Sequence, residues 1–426
     1  MNSMKKTSRL KGYCLWWLLS LTVAQAASIV EITPSSSSPI VMSQTGFTYI
    51  TYTAKNNTSK ILNGLSIDPN YGTKANTLKI TLNNNTCTTL AVGATCSFIV
   101  SLQGINQSTE FTLMPRICAY NGAVCSVPVL NNRIRVTATK TLPSSQFPLP
   151  YAGTYYPIYN SGVGQWLPPN QDPIPPFNRV SAIFVAFAHT YAQQNGAIFT
   201  YEQGQPDEPA RLALLVQSAR AGNPNIKILI SLGWGKNDWT YINNDFVNRA
   251  NIFVPSVVQF IRSNHLDGLD IDDESIGESS GFIPQANFDG VIANLRNALN
   301  NASLQDGKPY YLTITPAGNN EEPGGLVATQ IDTLNAKSFD LINIQSYFGD
   351  GDWGDYFFDA LVAIGYPKQQ IANGIDTQET NCDPDYPSYI GLAGIFNWNM
   401  TKDSTCSNYA NTITIANMVG YYGTFH

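Results

Sequence analysis

The chain is expected to adopt an α/β fold, a (β/α)8 TIM barrel, preceded by a smaller all-β sandwich. Three observations predict this. From residue 151 onward, eight apolar runs of strand length alternate with helical stretches, the order of a parallel sheet wrapped by its own crossovers. Before it, residues 27–139 are rich in Thr, Ser, Asn, Val and Ile, in short alternating runs broken by Asn, Gly and Ser clusters. The length of 426 residues also exceeds what one core usually holds.

In chain order, Lys5, Lys6, Arg9 and Lys11 precede the apolar run Cys14–Leu19, and Ala24-Gln25-Ala26 follows as a small-x-small cleavage pattern. Residues 1–26 therefore read as an export leader, too short for a stable membrane span, with cleavage near Ala26. Residues 27–140 form the β-sandwich, with alternating runs at Thr48–Thr53 and Ser97–Leu102. Residues 141–150 are a Pro/Ser-rich, semi-rigid linker. Residues 151–426 carry the barrel, its strands expected near Tyr151–Tyr156, Val180–Ala188, Ile226–Leu232, Leu266–Asp272, Tyr310–Thr315, Leu341–Tyr347, Ile371–Asp376 and Ala393–Trp398. Helices are expected at Glu208–Ala221 and Pro284–Asn300.

Once Cys14 leaves with the leader, six cysteines remain, an even number in an exported chain. They fall in three close pairs, so disulfides are expected at Cys87–Cys96, Cys118–Cys125 and Cys382–Cys406. No histidine lies near them and no tight C-x-x-C occurs, which argues against a metal site. A net charge of −6 thinly spread argues against nucleic acid as a partner. No further stretch is long and apolar enough for a membrane span, and nothing points to a metal, a cofactor or an obligate oligomer. A secreted monomer is the expectation.

Residues 267–274 read Asp-Gly-Leu-Asp-Ile-Asp-Asp-Glu. The apolar Leu266, Leu269 and Ile271 make this a buried strand, and side chains two apart share a face. Asp270, Asp272 and Glu274 therefore stack on one side. Burial and mutual repulsion should push at least one of their pKa values upward. A carboxylic acid kept protonated near neutrality is what cleavage of a glycosidic bond needs to protonate the leaving oxygen. A calcium loop would set its ligands among Asn and Gly rather than among apolar residues.

That octet fits D-G-x-D-x-D-x-E, and by it the barrel resembles the family 18 glycoside hydrolases, the chitinases and endo-β-N-acetylglucosaminidases. Other strand ends are similar to the same family: Ser231-Leu232-Gly233 with Trp234 in place of a second glycine, Ala186-Phe187-Ala188, Tyr155, Gln345-Ser346-Tyr347 and Trp398. The resemblance implies substrate-assisted, retaining cleavage of β-1,4-N-acetylglucosamine linkages, with chitin or a related oligosaccharide as partner. In it Glu274 is the acid, Asp272 orients the substrate acetamide, and Asp270, held by Ser231 and Tyr155, tunes Asp272. Tyr347 donates to the attacking carbonyl and Trp398 is the floor of the sugar site, with Gln345 and Phe187 beside it. Asp273 and Phe348-Gly349 depart from the chitinase pattern toward the glycan-trimming enzymes. A non-catalytic binding barrel is the third alternative, weakened because Asp270, Asp272 and Glu274 are all present.

Short spacing between the seventh and eighth strands implies an open groove and endo-acting cleavage. Trp166, Trp239 and Trp353 fall in expected upper loops, where rings stack on sugars or serve as hinges. His189 reads as a polar rim residue and His265 as a helix-end cap. The segment Cys87–Cys96 resembles bacterial immunoglobulin-like surface modules, which leaves the first domain as a spacer or a weak binder.

Overall fold

The computed structural model describes residues 28–36, 38–44, 46–72, 78–104, 108–139, 147–161, 164–203, 205–233, 236–273, 281–316, 330–347, 353–377 and 382–423. The leader, residues 141–146 of the linker, Glu274, Trp234, Phe348 and Gly349 lie outside them.

Eight parallel strands close into a barrel: Tyr151–Pro157, Ala182–Gln193, Lys227–Gly233, Gly268–Asp273, Tyr311–Pro316, Leu341–Ile344, Ile371–Asp376 and Gly394–Trp398. The first strand pairs in parallel with both the second and the eighth, so no open edge remains between them. Each matches an expected run to within a few residues. The second runs past its expected end and turns back through the antiparallel strand Gly196–Tyr201. Polar Thr190 and Gln193 and the turn at Gln194 hid this hairpin from a reading based on apolar runs.

Period-two alternation sorts the side chains. On the fourth strand Leu269 and Ile271 join the apolar layer between barrel and helices, whereas Asp270 and Asp272 fall on the opposite, inward face. Aromatic residues fill the interior, including Tyr151, Tyr155, Phe184 and Phe396. The helix read as Pro284–Asn300 continues to Asp306. Trp239 does not sit in an upper loop: it lies in the helix Asp238–Asn248, is 0% exposed and packs on Phe288 with ring centroids 5.2 Å apart. His265 takes the left-handed conformation just past the helix Phe253–Ser263.

Before the barrel, one antiparallel sheet runs in the order Val30–Pro34, Phe47–Asn56, Thr95–Gly104, Leu78–Asn83. It packs with the sheet Ile40–Ser43, Ile134–Thr139, Thr109–Leu113 around a common core. Disulfides join Cys87 to Cys96 and Cys118 to Cys125.

Alternation on the first sheet buries both faces. Ile50, Tyr52, Phe98, Val100 and Leu102 point into the sandwich core, and Tyr49 and Ile99 point out against Ala293 and Leu334 of the barrel. Polar contacts complete the junction. The Tyr49 hydroxyl donates to the Asp289 carbonyl oxygen, and Thr48 Oγ1 donates to Asn297 Oδ1 at 3.0 Å. Ser36 Oγ donates to Asn294 Oδ1 at 2.6 Å. The sandwich is therefore seated on the outer face of the long helix Gln285–Asp306.

Burial, and behind it the charge of Asp332, pushes the Asp289 carboxyl up to about 7, against the bonds from Asn335 and Gln285 that pull it down. A free aspartate titrates near ~4, so Asp289 gives stability that is fully present below about pH 4 and lost as pH rises through about 7. Asp289→Asn should remove that loss. Urea unfolding should show the variant gaining on the parent, by on the order of 3 kcal/mol, between pH 4 and 8. Parallel profiles would refute this assignment.

Candidate active site

Asp270 is 0% exposed and lies inside the barrel, where an ionised carboxylate survives only if hydrogen bonds replace its water. Four hydroxyls do so. Oδ2 accepts from Tyr155 at 2.8 Å and from Ser231 at 2.7 Å; Oδ1 accepts from Thr313 at 2.6 Å and from Thr315 at 3.2 Å. The donors come from the first, third and fifth strands. Burial pushes the Asp270 carboxyl up and all four hydroxyls pull it back down. The upward shift matches the expectation, and burial, one of the two causes expected, is the largest.

Ser231 and Tyr155 were legible as partners of Asp270; Thr313 and Thr315 were not. Their signal is the register, which pairs Asp270 with Thr313 and Asp272 with Thr315 across neighbouring strands. A single strand read alone does not carry that information.

Asp272 stands one strand step nearer the carboxyl end, where barrel folds carry their chemistry. Its Oδ1 accepts from Gln345 Nε2 at 2.9 Å. Gln345 also donates to the Thr315 carbonyl oxygen at 3.3 Å, so its amide spans two strand ends. The neighbouring strand must come close here: Gly233 has φ +138°, and a Cβ at that position would lie 2.3 Å from the Asp272 carbonyl oxygen. Asp273 is buried, and its Oδ2 accepts from the Gln330 backbone N–H at 3.4 Å. That contact gives Asp273 an anchoring role outside the inward carboxylate row.

Trp398, at the end of the eighth strand, is half-buried. Its ring meets Tyr155 edge-on with centroids 5.2 Å apart and stacks on Phe187 at 6.0 Å. Phe187 is itself buried and stacks on Tyr159, so it backs Trp398. Tyr347, also half-buried, packs edge-on against Phe396. A Cβ at position 374 would come 2.7 Å from the Tyr347 ring, so Gly374 makes its room. The structure thus brings Asp270, Asp272, Tyr155, Ser231 and Gln345 into one bonded cluster with Trp398 beside it.

His189 is buried, contrary to the rim position expected of it: its Nδ1 lies 3.0 Å from Asp238 Oδ2, and Thr190 donates to the same carboxylate from its backbone and its hydroxyl. Trp166 is half-buried, under the Arg211 guanidinium and against Tyr156. The side chain of Trp353 is outside the described ones. A disulfide links Cys382, beyond the seventh strand, to Cys406 in the helix Met400–Ser407 that follows Trp398. Among the described residues, no three His, Cys, Asp or Glu side chains gather as metal ligands, and no helix is long and apolar enough to cross a membrane.

The model of glycosyl hydrolases family 18 matches residues 155–378. Chitinase A1 of Niallia circulans is 31% identical over 142 residues, 31% of this chain and 19% of that protein. A class V chitinase of Arabidopsis thaliana is 26% identical over 269 residues, 58% of this chain and 65% of that protein. The chain thus spans from about one fifth to about two thirds of these relatives' lengths. A solved multi-modular chitinase of Paenibacillus shares the fold with a TM-score of 0.50 at 13% identity, over 94% of this chain and 43% of that one. With the family model covering more than half of its length, the chain belongs to family 18 of the glycosyl hydrolases.

Proposed function

We propose that this chain is a secreted, retaining endo-chitinase that cleaves β-1,4-N-acetylglucosamine linkages with help from the substrate's own acetamide group. The observation that carries the reading is the inward pair Asp270 and Asp272. One carboxylate is enclosed by four hydroxyls, one of them from the Tyr155 that packs on Trp398, and the next is held by Gln345 and stands toward the barrel mouth. Disulfide-bonded cysteines fit export to an oxidising compartment.

In this mechanism Glu274 protonates the glycosidic oxygen while the acetamide carbonyl oxygen attacks the anomeric carbon and closes an oxazolinium ring. Family 18 departs in this way from the two-carboxylate scheme of most glycosidases. Asp272 accepts the acetamide N–H, which fixes the carbonyl for attack and balances the positive charge that grows on the ring. Gln345, donating to one oxygen of Asp272, limits rotation of that carboxylate. Asp270 supplies a fixed negative charge behind it. The Tyr347 hydroxyl donates to the attacking carbonyl, and the Trp398 ring forms the floor under the distorted sugar. Water then opens the oxazolinium with Glu274 as base, which returns the β-anomer.

The deciding experiment pairs chitotetraose with a high-mannose glycopeptide, each incubated with the mature protein. Chitotetraose cleavage with β-anomeric product is the expected result. Cleavage of the glycopeptide alone would move the function to glycan release, and silence in both tubes would leave a binding protein. On long chitin an open groove predicts internal cuts, so release of mainly disaccharide from one chain end would contradict endo action.

Glu274→Gln keeps the shape and removes the proton. It should lower kcat by about 10²-fold or more while sugar binding persists. Retained turnover would exclude Glu274 as the acid. Thr313→Val deletes one of the hydroxyls that pull the Asp270 carboxyl down. Asp270 should then hold its proton to higher pH, moving the acid limb of the kcat/KM profile upward and lowering kcat/KM by about tenfold. An unmoved limb would show that Asp270 ionisation does not govern the reaction.

A further inference from the structure

Asp273 follows Asp272 on the fourth strand, and period two turns it to the outward side with Leu269 and Ile271. A carboxylate buried there needs a donor from the layer outside the barrel. The Gln330 backbone N–H supplies one at 3.4 Å. That is beyond the usual reach of an N–H···O bond, so the contact has little margin and lasts only while Gln330 stays in place.

Gln330 is held from two sides. Its carbonyl oxygen accepts from Gln285 Nε2 at 2.7 Å and from Asn335 Nδ2 at 2.6 Å. Each of these amides also donates to Asp289 Oδ1, both at 2.9 Å. An amide nitrogen carries two hydrogens, so both donors are fully used and the four groups close into a ring. The Gln330 side chain adds a bond to the Ile283 carbonyl oxygen at 2.8 Å. Asp289, Gln330 and Asn335 are all buried.

The sandwich braces both arms of this ring. The Tyr49 hydroxyl donates to the backbone carbonyl of Asp289, in the helix that carries Gln285 as well. Tyr49 and Ile99 also share one buried cluster with Leu334, the residue before Asn335. Bonded contacts therefore run from Tyr49, by way of Asp289 and Gln330, to the residue between Asp272 and Glu274.

We propose that Tyr49 is a positioning residue for catalysis: through Asp289, Asn335 and Gln330, the sandwich fixes the strand end that carries Asp272. Catalytic carboxylates act within a narrow tolerance of distance and angle, so a brace behind the strand bears on the reacting geometry more than on substrate binding. The hydroxyls around Asp270 hold the strand from within the barrel, and this ring holds its end from outside. A module serving only as a spacer needs none of these bonds. The catalytic part of the inference rests on the proposed function.

Tyr49→Phe deletes the hydroxyl and keeps the ring. In the full chain it should lower kcat on chitotetraose about fivefold and leave KM nearly unchanged. Asp273→Ala cuts the last link, so Tyr49→Phe should cost nothing further in that background. An unchanged kcat in Tyr49→Phe, or losses that simply multiply in the double variant, would overturn the inference. Amide hydrogen exchange needs no turnover and no second substitution. In Tyr49→Phe the Gln330 amide should exchange about tenfold faster while strand 341–344 exchanges as before. Faster exchange confined to 47–51 and 289–293 would make Tyr49 a junction contact only, and faster exchange everywhere would make it a stability residue; either overturns the inference. If Asp273→Ala does not fold, the exchange result decides. Absence of turnover by the unsubstituted chain fails the proposed function, and exchange then judges the brace by itself.

Discussion

A carboxylate enclosed in a closed barrel has to be answered by donors from the strands around it, and Asp270 sets that condition here. Tyr155, Ser231, Thr313 and Thr315 meet it from three different strands. Each must arrive at the same height in the barrel, so the strand register and the chemistry are one constraint. Burial raises the cost of the charge, and four hydroxyls offset it. Removing one donor leaves the charge in place and its surroundings poorer, so such a network tolerates little variation.

The rest of the cluster is arranged around that centre. Asp272 lies two residues on, on the same face, and Gln345 reaches it from the sixth-strand end. Trp398 closes the side, kept in place by Tyr155 and Phe187. Tyr155 therefore serves twice, with its hydroxyl on Asp270 and its ring edge against Trp398. Close approaches beside the cluster fall at Gly233 and Gly374, where a Cβ would collide with the Asp272 carbonyl oxygen or with the Phe396 and Tyr347 rings.

Outside the barrel wall the same alternation does different work. The long helix that follows the Asp-rich strand turns its apolar side to the barrel and an asparagine-bearing side to the sandwich. Tyr49 and Ile99 sit between core-facing neighbours and pack on that helix. A module expected to be a spacer or a weak binder is thus seated on the barrel, and part of its surface becomes a wall of a cavity beside that helix.

The sequence by itself determined the periods. Alternation of Leu269 and Ile271 with Asp270 and Asp272 specifies a buried strand with carboxylates on one face, and the repeated strand–helix order specifies a barrel. Those signals are local, and they survive without partners. What neighbours decide was not legible. Thr313 and Thr315 look like ordinary strand residues until register sets them against Asp270. Trp239 reads as a loop ring, for stacking on sugars or for a hinge, and the buried face of its helix places it in the core instead. His189 reads as polar and therefore exposed until Asp238 arrives from another element to bury with it. Asn294 and Asn297 carry no local sign that a sheet will cover them and bond to them. In each case the missing information is which group lies across the gap, and only tertiary packing supplies it.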